Sequence, residues 1–205
     1  MHRLLLAAAV FLFGTATPAA AAIIVYETSL SGAAEEPSTP STGTGTATLT
    51  FDTDLNTMTL EVEFSGLTGT VTAAHIHCCT AEPAAGNVGV ATAVPTFPGF
   101  PAGVTSGSYA MTFDLTLPSS FNPAFITANG GTPADAEAAL LAGVAEGRAY
   151  LNIHTAAFPA GEIRGFLVPA RAIPEPAAIG LFALGIGALA LARRGRKRRG
   201  HGPRA

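Results

Sequence analysis

The sequence predicts an all-β domain, a Greek-key β-sandwich or small barrel of about eight strands with one short helix, plus one C-terminal transmembrane helix. Two observations support the β domain: apolar and polar residues alternate over several short segments, and turn-forming residues separate those segments. Alternation with a period of two is typical of strands with one buried and one exposed face. The third observation is an apolar run near each end of the 205-residue chain, which predicts one central domain with a targeting segment on either side.

The first apolar run extends from Leu4 to Phe13. Arg3 precedes it, and small residues that fit an Ala-x-Ala cleavage site follow it at residues 20–22. This order predicts a secretory signal peptide over residues 1–22. The run is too short to span a bilayer, because a transmembrane helix needs roughly 20 apolar residues. The domain is therefore predicted to be exported and to occupy residues 23–168.

Three segments of the domain alternate strictly and predict strands: residues 46–51, 57–64 and 109–117. The turn-forming residues "DTDLN" at 52–56 predict a hairpin between the first two. The shorter strand candidates are residues 23–30, 71–77, 88–94, 148–155 and 162–168.

One segment, "TPADAEAALLAGVAEG", has the pattern of a helix. Thr132 is a suitable N-cap, Pro133 suits the first helical position, Asp135 lies near the positive end of the helix dipole, and Gly147 suits the stop. The side chains predicted to pack on the sheet are Ala139, Leu140 and Val144.

Three histidines of the exported part are the candidate metal ligands. His75 and His77 are two positions apart, so on a strand both side chains project from one face. On the segment "RAYLNIHT", Tyr150, Asn152 and His154 share a face in the same way. If the two strands are neighbours, His154 joins the pair, and three imidazoles suit Zn or Cu. The alternative is that these histidines are polar surface residues or hydrogen-bonded structural ones.

Cys78 and Cys79 follow the histidine pair directly. Free thiols in an exported protein tend to become oxidised, so a disulfide between the two neighbours is one prediction. A second is that one or both complete the coordination sphere of a metal as thiolates. A thioredoxin-like redox motif does not fit, because it needs two residues between its cysteines.

Glu162 and Arg164, in the segment "GEIRG", also share a strand face. Two roles are predicted for them. They pair with each other as a surface ion pair, or one of them orients a histidine of the metal site as an outer partner.

The charge distribution argues against a nucleic-acid partner. Residues 23–173 contain three arginines and no lysine against 13 acidic residues, a net charge of −10. An acidic domain repels the phosphate backbone of a nucleic acid. The sequence contains no Gly-x-Ser-x-Gly or paired-carboxylate motif, so no catalytic residue is predicted. An oxidoreductase at the histidine set is the minority alternative.

The C-terminal region has three parts in order. Residues 169–176 form a predicted linker that contains Pro174, Glu175 and Pro176, and residues 177–192 form an uncharged apolar run. The 16 residues of this run cover about 24 Å as a helix, which arginines of the following segment can extend by reaching to the membrane surface. The basic residues 193–205 then predict a cytoplasmic tail behind a transmembrane helix.

These three parts together resemble the PEP-CTERM sorting signal of Gram-negative bacteria. The resemblance implies Pro174, Glu175 and Pro176 as the sorting motif and an exosortase-type membrane protease as the partner. It also implies transit through the inner membrane and delivery to the cell surface or the exopolysaccharide matrix.

The central part, about residues 30–167, resembles the CHRD domain first described in chordin. The pieces that carry the resemblance are "AHIH" at 74–77, "YLNIHT" at 150–155 and "FPAGEIRG" at 158–165. Many members have a glycine after the His-x-His pair, where this chain has Cys78. The resemblance implies an all-β domain, but this family has no established activity. The sequence therefore predicts an exported non-catalytic protein of the envelope or matrix, with a Cu- or Zn-binding protein as the alternative.

Overall fold

A computed structural model of the chain describes residues 23–170. The predicted signal peptide at 1–22, the sorting motif Pro174–Pro176, the predicted transmembrane helix at 177–192 and the basic tail lie outside the described residues. Among residues 23–170, no helix has the length and apolar character needed to cross a membrane. The C-terminal transmembrane helix therefore stays a prediction.

Eight strands form the described part of the chain, and their number and the all-β class agree with the prediction. All their pairings are antiparallel, and they belong to a single sheet with the order β4-β6-β7-β1-β2-β3-β5, in which β8 also pairs with β1. The strands are β1 (Ile23–Ser31), β2 (Thr44–Asp52), β3 (Thr57–Ser65), β4 (Val71–Cys78), β5 (Gly107–Asp114), β6 (Ala149–Thr155), β7 (Ile163–Phe166) and β8 (Val168–Pro169).

The sheet curls into a half-barrel, and the described residues contain no second sheet that would make a sandwich. Antiparallel strands twist relative to one another, so a sheet of this width can curl around its own apolar face. The core therefore lies inside one curled sheet, and the helices and loops pack against it.

Two of the strand predictions differ from the structure. Residues 88–94 do not form a strand and make only isolated bridges, at Val90 with His77 and at Thr92 with Phe121. This segment runs along the edge of β4, where the Thr92 hydroxyl takes the place of a ladder partner and accepts from the Ile76 amide at 3.0 Å. The predicted strand 162–168 is divided into β7 and β8 at Leu167, which turns into the core.

The predicted hairpin is confirmed: β2 pairs with β3 over nine residues, and β1 pairs with β2 over nine. The turn begins at Asp52, whose side chain accepts from the amides of Asp54 and Leu55, both at 3.1 Å. In these strands the apolar positions are buried and the intervening positions are exposed or partly exposed, as the alternation predicts. Leu49 and Leu60 are fully buried.

The predicted helix is also confirmed, as α2 (Pro133–Ala145), and a shorter helix, α1 (Pro123–Ala128), precedes it. Thr132 caps α2 by accepting from the Asp135 amide, and Leu140 and Val144 pack in the core, while Ala139 is partly buried. Asn122 caps α1 in the same way. Both helices lie in the connection between β5 and β6.

The β4-β6-β7 part of the sheet differs from the rest because both of its faces are buried. On β4 and β6 the register places His75 opposite Asn152, and His77 opposite Tyr150. A polar row therefore lies on one face of these strands, away from solvent.

Candidate metal centre

The structure brings the three predicted histidines together. β4 supplies His75 and His77, and β6 supplies His154, which lies opposite Ala73 in the register. One ring nitrogen from each histidine lies within 4.8 Å of the other two. His75 and His77 are 6% and 8% exposed, and His154 is partly buried. The cluster is thus formed by two adjacent antiparallel strands whose periodicity points all three side chains to one face.

Each histidine also hydrogen-bonds to a backbone carbonyl through one ring nitrogen. Because a carbonyl oxygen only accepts, the bonded nitrogen carries the proton, which fixes the tautomer of each ring. The three bonds run from His75 Nε2 to Pro95 O (2.6 Å), from His77 Nδ1 to Val88 O (2.8 Å) and from His154 Nδ1 to Pro159 O (3.0 Å).

The remaining nitrogens are His75 Nδ1, His77 Nε2 and His154 Nε2. All three are buried and have no hydrogen-bond partner among residues 23–170. In the tautomers set by the carbonyls, these atoms are the unprotonated ones, and each carries a free lone pair. Buried polar atoms without a partner are costly, so three of them in one cluster are an unusual feature of this face.

Burial lowers the pKa of all three imidazoles. The pKa of His77 falls to about 4, mainly through desolvation, and the charges of His154, His75 and Arg164 add to the effect. The rings are therefore neutral at pH 7, which is the state that binds metal ions.

Tyr150 connects the cluster to a buried arginine. Its ring stacks on His77 with a centroid distance of 4.8 Å and an interplanar angle of 5°. On the Tyr150 ring lies the Arg164 guanidinium, 4.8 Å from the centroid. The Tyr150 hydroxyl accepts from the Val88 amide at 3.3 Å, so it also helps to hold the carbonyl that orients His77.

Arg164 holds the segment 86–88, which we call the strap, over this face. Its NH1 group donates to Gly86 O at 3.1 Å and to Asn87 Oδ1 at 2.6 Å. Glu36 fixes the strap as well, since its carboxylate accepts from the Gly86 amide at 2.9 Å and its backbone carbonyl accepts from Asn87 Nδ2 at 2.7 Å. The strap carries the Val88 carbonyl, so this network sets the position of His77.

A second polar pair, Glu35 and Asn152, lies beside Arg164. Asn152 Nδ2 donates to Glu35 Oε2 at 3.5 Å, and the same carboxylate is 3.9 Å from the Arg164 Nε atom. Within the described part of the chain, Glu35 Oε1 and Asn152 Oδ1 are buried without a hydrogen-bond partner. Both atoms face the α-carbon of Gly161, where a Cβ would lie 2.6–2.8 Å from them. Only glycine fits this position, whose φ of +137° also disfavours a side chain.

Glu162 is placed elsewhere and pairs neither with Arg164 nor with a histidine in any contact of the described residues. Its carboxylate accepts four hydrogen bonds that join loops and strands. The donors are Ser41 Oγ (2.6 Å), the Thr68 amide (2.5 Å), the Gly69 amide (3.0 Å) and Thr155 Oγ1 (2.6 Å). Burial raises the pKa of Glu162, but these hydrogen bonds outweigh it and hold the pKa below its ordinary value.

Cys78 and Cys79 do not join the histidine cluster. They form a disulfide with each other, so neither offers a thiolate to a metal. Cys78 lies on β4 with the parity of Ile76 and turns into the core, away from the histidine face. Both sulfurs pack on α2 at Gly143, where a Cβ would overlap them.

Several residues around the cluster were not identified from the sequence. The carbonyls of Pro95, Val88 and Pro159 could not be predicted as partners of the histidines, because every residue has a backbone carbonyl. Glu35 and Asn87 lie in loops without periodicity. They could be identified only as partners of Arg164, because a buried charged group needs partners within the protein. The burial of Arg164, which is 3% exposed, is visible only in the structure.

Comparison with known proteins gives two family matches. The profile of the CHRD domain matches residues 26–167, and the profile of the PEP-CTERM protein-sorting motif matches residues 172–198. A search of curated proteins and a search of solved structures found no match. The CHRD match covers the strands and loops that form the histidine cluster.

Proposed function

This chain belongs to the CHRD-domain family, and from that membership and the histidine cluster we propose that it is a metal-binding protein of the bacterial cell envelope. Its sorting motif supports export and recognition by an exosortase, a membrane protein of Gram-negative bacteria. The ligands of the metal are His75, His77 and His154.

The observation that carries the proposal is the set of three unpartnered nitrogens. A buried polar atom is normally hydrogen-bonded, and among the described residues only one nitrogen of each ring is. One nitrogen of each ring lies within 4.8 Å of the other two. Bonds of about 2.0–2.1 Å to one ion hold two nitrogens at most about 4.2 Å apart, so metal binding requires the rings to close by a few tenths of an ångström. Histidines in metal sites commonly donate their second N–H to an outer partner, as all three do here.

We propose that the centre binds metal without catalysing a reaction. Arg164 holds the strap, Glu35 faces Arg164 and Asn152, and Glu162 accepts four hydrogen bonds at another place in the fold. Neither Glu35 nor Glu162 has a hydrogen bond to a histidine of the cluster among the contacts of residues 23–170. A metal-dependent redox activity would need turnover of a substrate, which the experiment below also measures.

The place of action is the cell surface or the exopolysaccharide matrix, with the C-terminal helix as a membrane anchor during transit. The net charge of −10 between residues 23 and 173 supports a partner that is not a nucleic acid. Cations outside the cell can screen the negative charge of this domain, so an acidic metal-binding domain is compatible with that location.

The test is metal analysis of the full chain, purified after export in a Gram-negative host and loaded separately with Cu and Zn. We expect one ion per chain. We also expect His75→Gln, His77→Gln and His154→Gln each to weaken binding by about 100-fold or more, since each removes one of three ligands. At a ligand concentration of 100 times the Kd, binding should stabilise the wild type by about 2.7 kcal/mol.

Glu61→Gln is the control, because it changes an exposed side chain of β3 outside the cluster. It should bind metal as the wild type does. A wild-type chain that retains neither Cu nor Zn and shows no thermal shift would refute the proposal. Reproducible turnover in standard redox assays by the metal-loaded chain would overturn its non-catalytic part.

A further inference from the structure

Resting on the metal-binding function proposed above, we propose that the histidine centre binds Cu(I) in preference to Zn(II). Four features of the site favour a soft monovalent ion: the number of its ligands, their charge, the nature of their outer partners and a fixed positive charge nearby.

The first two features are the ligand set itself. Within residues 23–170, the cluster contains three imidazoles and no carboxylate or thiolate. A Zn(II) ion held by three histidines keeps a fourth position for water or a substrate, whereas Cu(I), a soft d10 ion, can be satisfied by three nitrogen donors alone. Burying a doubly charged ion among neutral ligands costs more solvation energy than burying a singly charged one.

The third feature is the outer partners of the histidines. All three protonated nitrogens donate to backbone carbonyls. In many zinc sites a carboxylate occupies this position, and it increases the basicity of the imidazole and adds negative charge to the site. Carbonyl partners orient the rings without adding that charge.

The neighbouring carboxylates do not replace it. Glu162 is held by four donors at another place in the fold, and Glu35 faces Arg164 and Asn152. Glu36 is bound to the strap and to Arg164, at 3.5 Å from its NH2 group. None of these three has a hydrogen bond to a histidine of the cluster among the contacts of the described residues.

The fourth feature is the guanidinium of Arg164. It lies over one face of the Tyr150 ring, 4.8 Å from the centroid, while His77 stacks on the same ring with a centroid distance of 4.8 Å. Both groups contact the same aromatic ring, which places the positive charge close to the cluster. Coulomb repulsion from this charge is twice as large for a dication as for a monocation at the same position.

The first experiment compares the affinities of the full chain for the two ions by competition with chromophoric chelators. Ascorbate keeps copper reduced, and intact mass verifies that the disulfide remains closed. We expect Cu(I) to bind at least about 100-fold more tightly than Zn(II). Equal affinities or tighter Zn(II) binding would overturn the inference while the proposed function stands. Failure of both ions to bind would remove the proposed function itself.

The second experiment tests the charge argument with two variants of one residue. Arg164→Lys and Arg164→Gln both lose the bidentate contacts to the strap, but only Arg164→Lys keeps the positive charge. We expect Arg164→Gln to narrow the preference for Cu(I) over Zn(II) by about tenfold, while Arg164→Lys keeps it. Equal preferences in the two variants would contradict the role of the charge.

A double substitution, Cys78→Ser with Cys79→Ser, excludes binding of Cu(I) by thiols released on reduction of the disulfide. Its affinity for Cu(I) should equal that of the wild type, because the disulfide lies on the other side of β4 from the histidines. A loss of Cu(I) binding in this variant would assign the copper to sulfur and overturn the inference. The comparison of the two ions in the wild type does not depend on whether any of these variants folds.

Discussion

The two halves of the sheet differ in whether the face opposite the core is exposed to solvent or buried. In β1, β2, β3 and β5 one face packs on the core, and most of the alternate positions are exposed or partly exposed. In β4, β6 and β7 both faces are buried, and the second face carries polar and charged residues: His75, His77, Tyr150, Asn152 and Arg164. The first half follows a simple binary pattern, and the second half does not.

The difference shows what a buried polar face needs. In the first half, water solvates the threonines and glutamates, so they need no partners in the protein. In the second half, every polar atom needs a partner within the fold, because an unpaired buried group is costly. The atoms that have no partner there among the described residues are therefore informative, and three of them are the histidine nitrogens that we propose as metal ligands.

The largest expected effect tests whether the two halves respond differently to substitution of adjacent residues. In the first half, Leu60→Ala should cost about 2–5 kcal/mol of unfolding free energy, and its exposed neighbour Glu61→Ala should change it by less than about 0.5 kcal/mol. In the second half, both members of an adjacent pair should be costly: Leu151→Ala by about 2–5 kcal/mol and Asn152→Ala by about 1–3 kcal/mol. Urea unfolding of the four variants measures this. A neutral Asn152→Ala would remove the distinction between the halves.

A smaller effect is expected for Glu162→Gln, which keeps the shape of the side chain and removes its charge. Because four donors point at this carboxylate, we expect a loss of about 1.5–3 kcal/mol at pH 7. The folded pKa is lowered, so the stabilisation is present above the ordinary pKa of 4.5 and is lost as the pH falls through the folded value. The wild type and the variant should therefore converge in acid. Glu61→Gln, on the exposed face, is the control, and an undiminished difference at pH 2 would contradict the assignment.

The smallest and opposite effect is expected for Glu35→Gln. Burial raises the pKa of Glu35 to about 7, although the charge of Arg164 and the hydrogen bond from Asn152 act against it. Because the folded pKa is raised, the contribution of Glu35 to the free energy of unfolding is fully present below pH 4.5. It is lost as the pH rises through about 7. At pH 8 the uncharged variant should thus be more stable than the wild type by about 1–3 kcal/mol, and this advantage should vanish at pH 4.5.

Unfolding of the metal-free chains at both pH values measures the effect of Glu35→Gln. Glu27→Gln is the control, since the Glu27 side chain is exposed on β1. If the Glu35→Gln variant is less stable than the wild type at pH 8, the attraction between Glu35 and Arg164 outweighs the desolvation of Glu35. That result would contradict the prediction.

The strands of the first half were predicted well from the sequence. One of their faces contacts water and the other the core, so polar and apolar residues alternate along them. The hairpin of β2 and β3 and the helix α2 follow from patterns that involve only neighbouring residues. The helix α1 was missed, although Asn122 followed by Pro123 repeats the signal of Thr132 followed by Pro133. The strand predicted at 88–94 was wrong because apolar and polar residues also alternate along a segment that packs on a sheet edge without a ladder.

The site was predictable only in part, for a different physical reason. The spacing of His75 and His77 fixed their common face, but the pairing of β4 with β6 depends on contacts between residues more than 70 positions apart. Two features become visible only when the chain is folded. These are the backbone carbonyls that orient the histidines and the strap that Arg164 holds. The tautomers, and with them the free lone pairs, follow from those partners.

The two halves of the sheet meet along a narrow seam. β1 pairs with β2 over nine residues, but with β7 only at Ser31 and Arg164, and with β8 at two further positions. Gly165 allows the close approach of β7 to β1, since a Cβ there would overlap the Ser29 carbonyl. Local opening of a fold begins most easily where few backbone bonds must break, so we expect the sheet to open first along this line. Backbone amides beside the seam should therefore exchange with solvent long before those of β2 and β3.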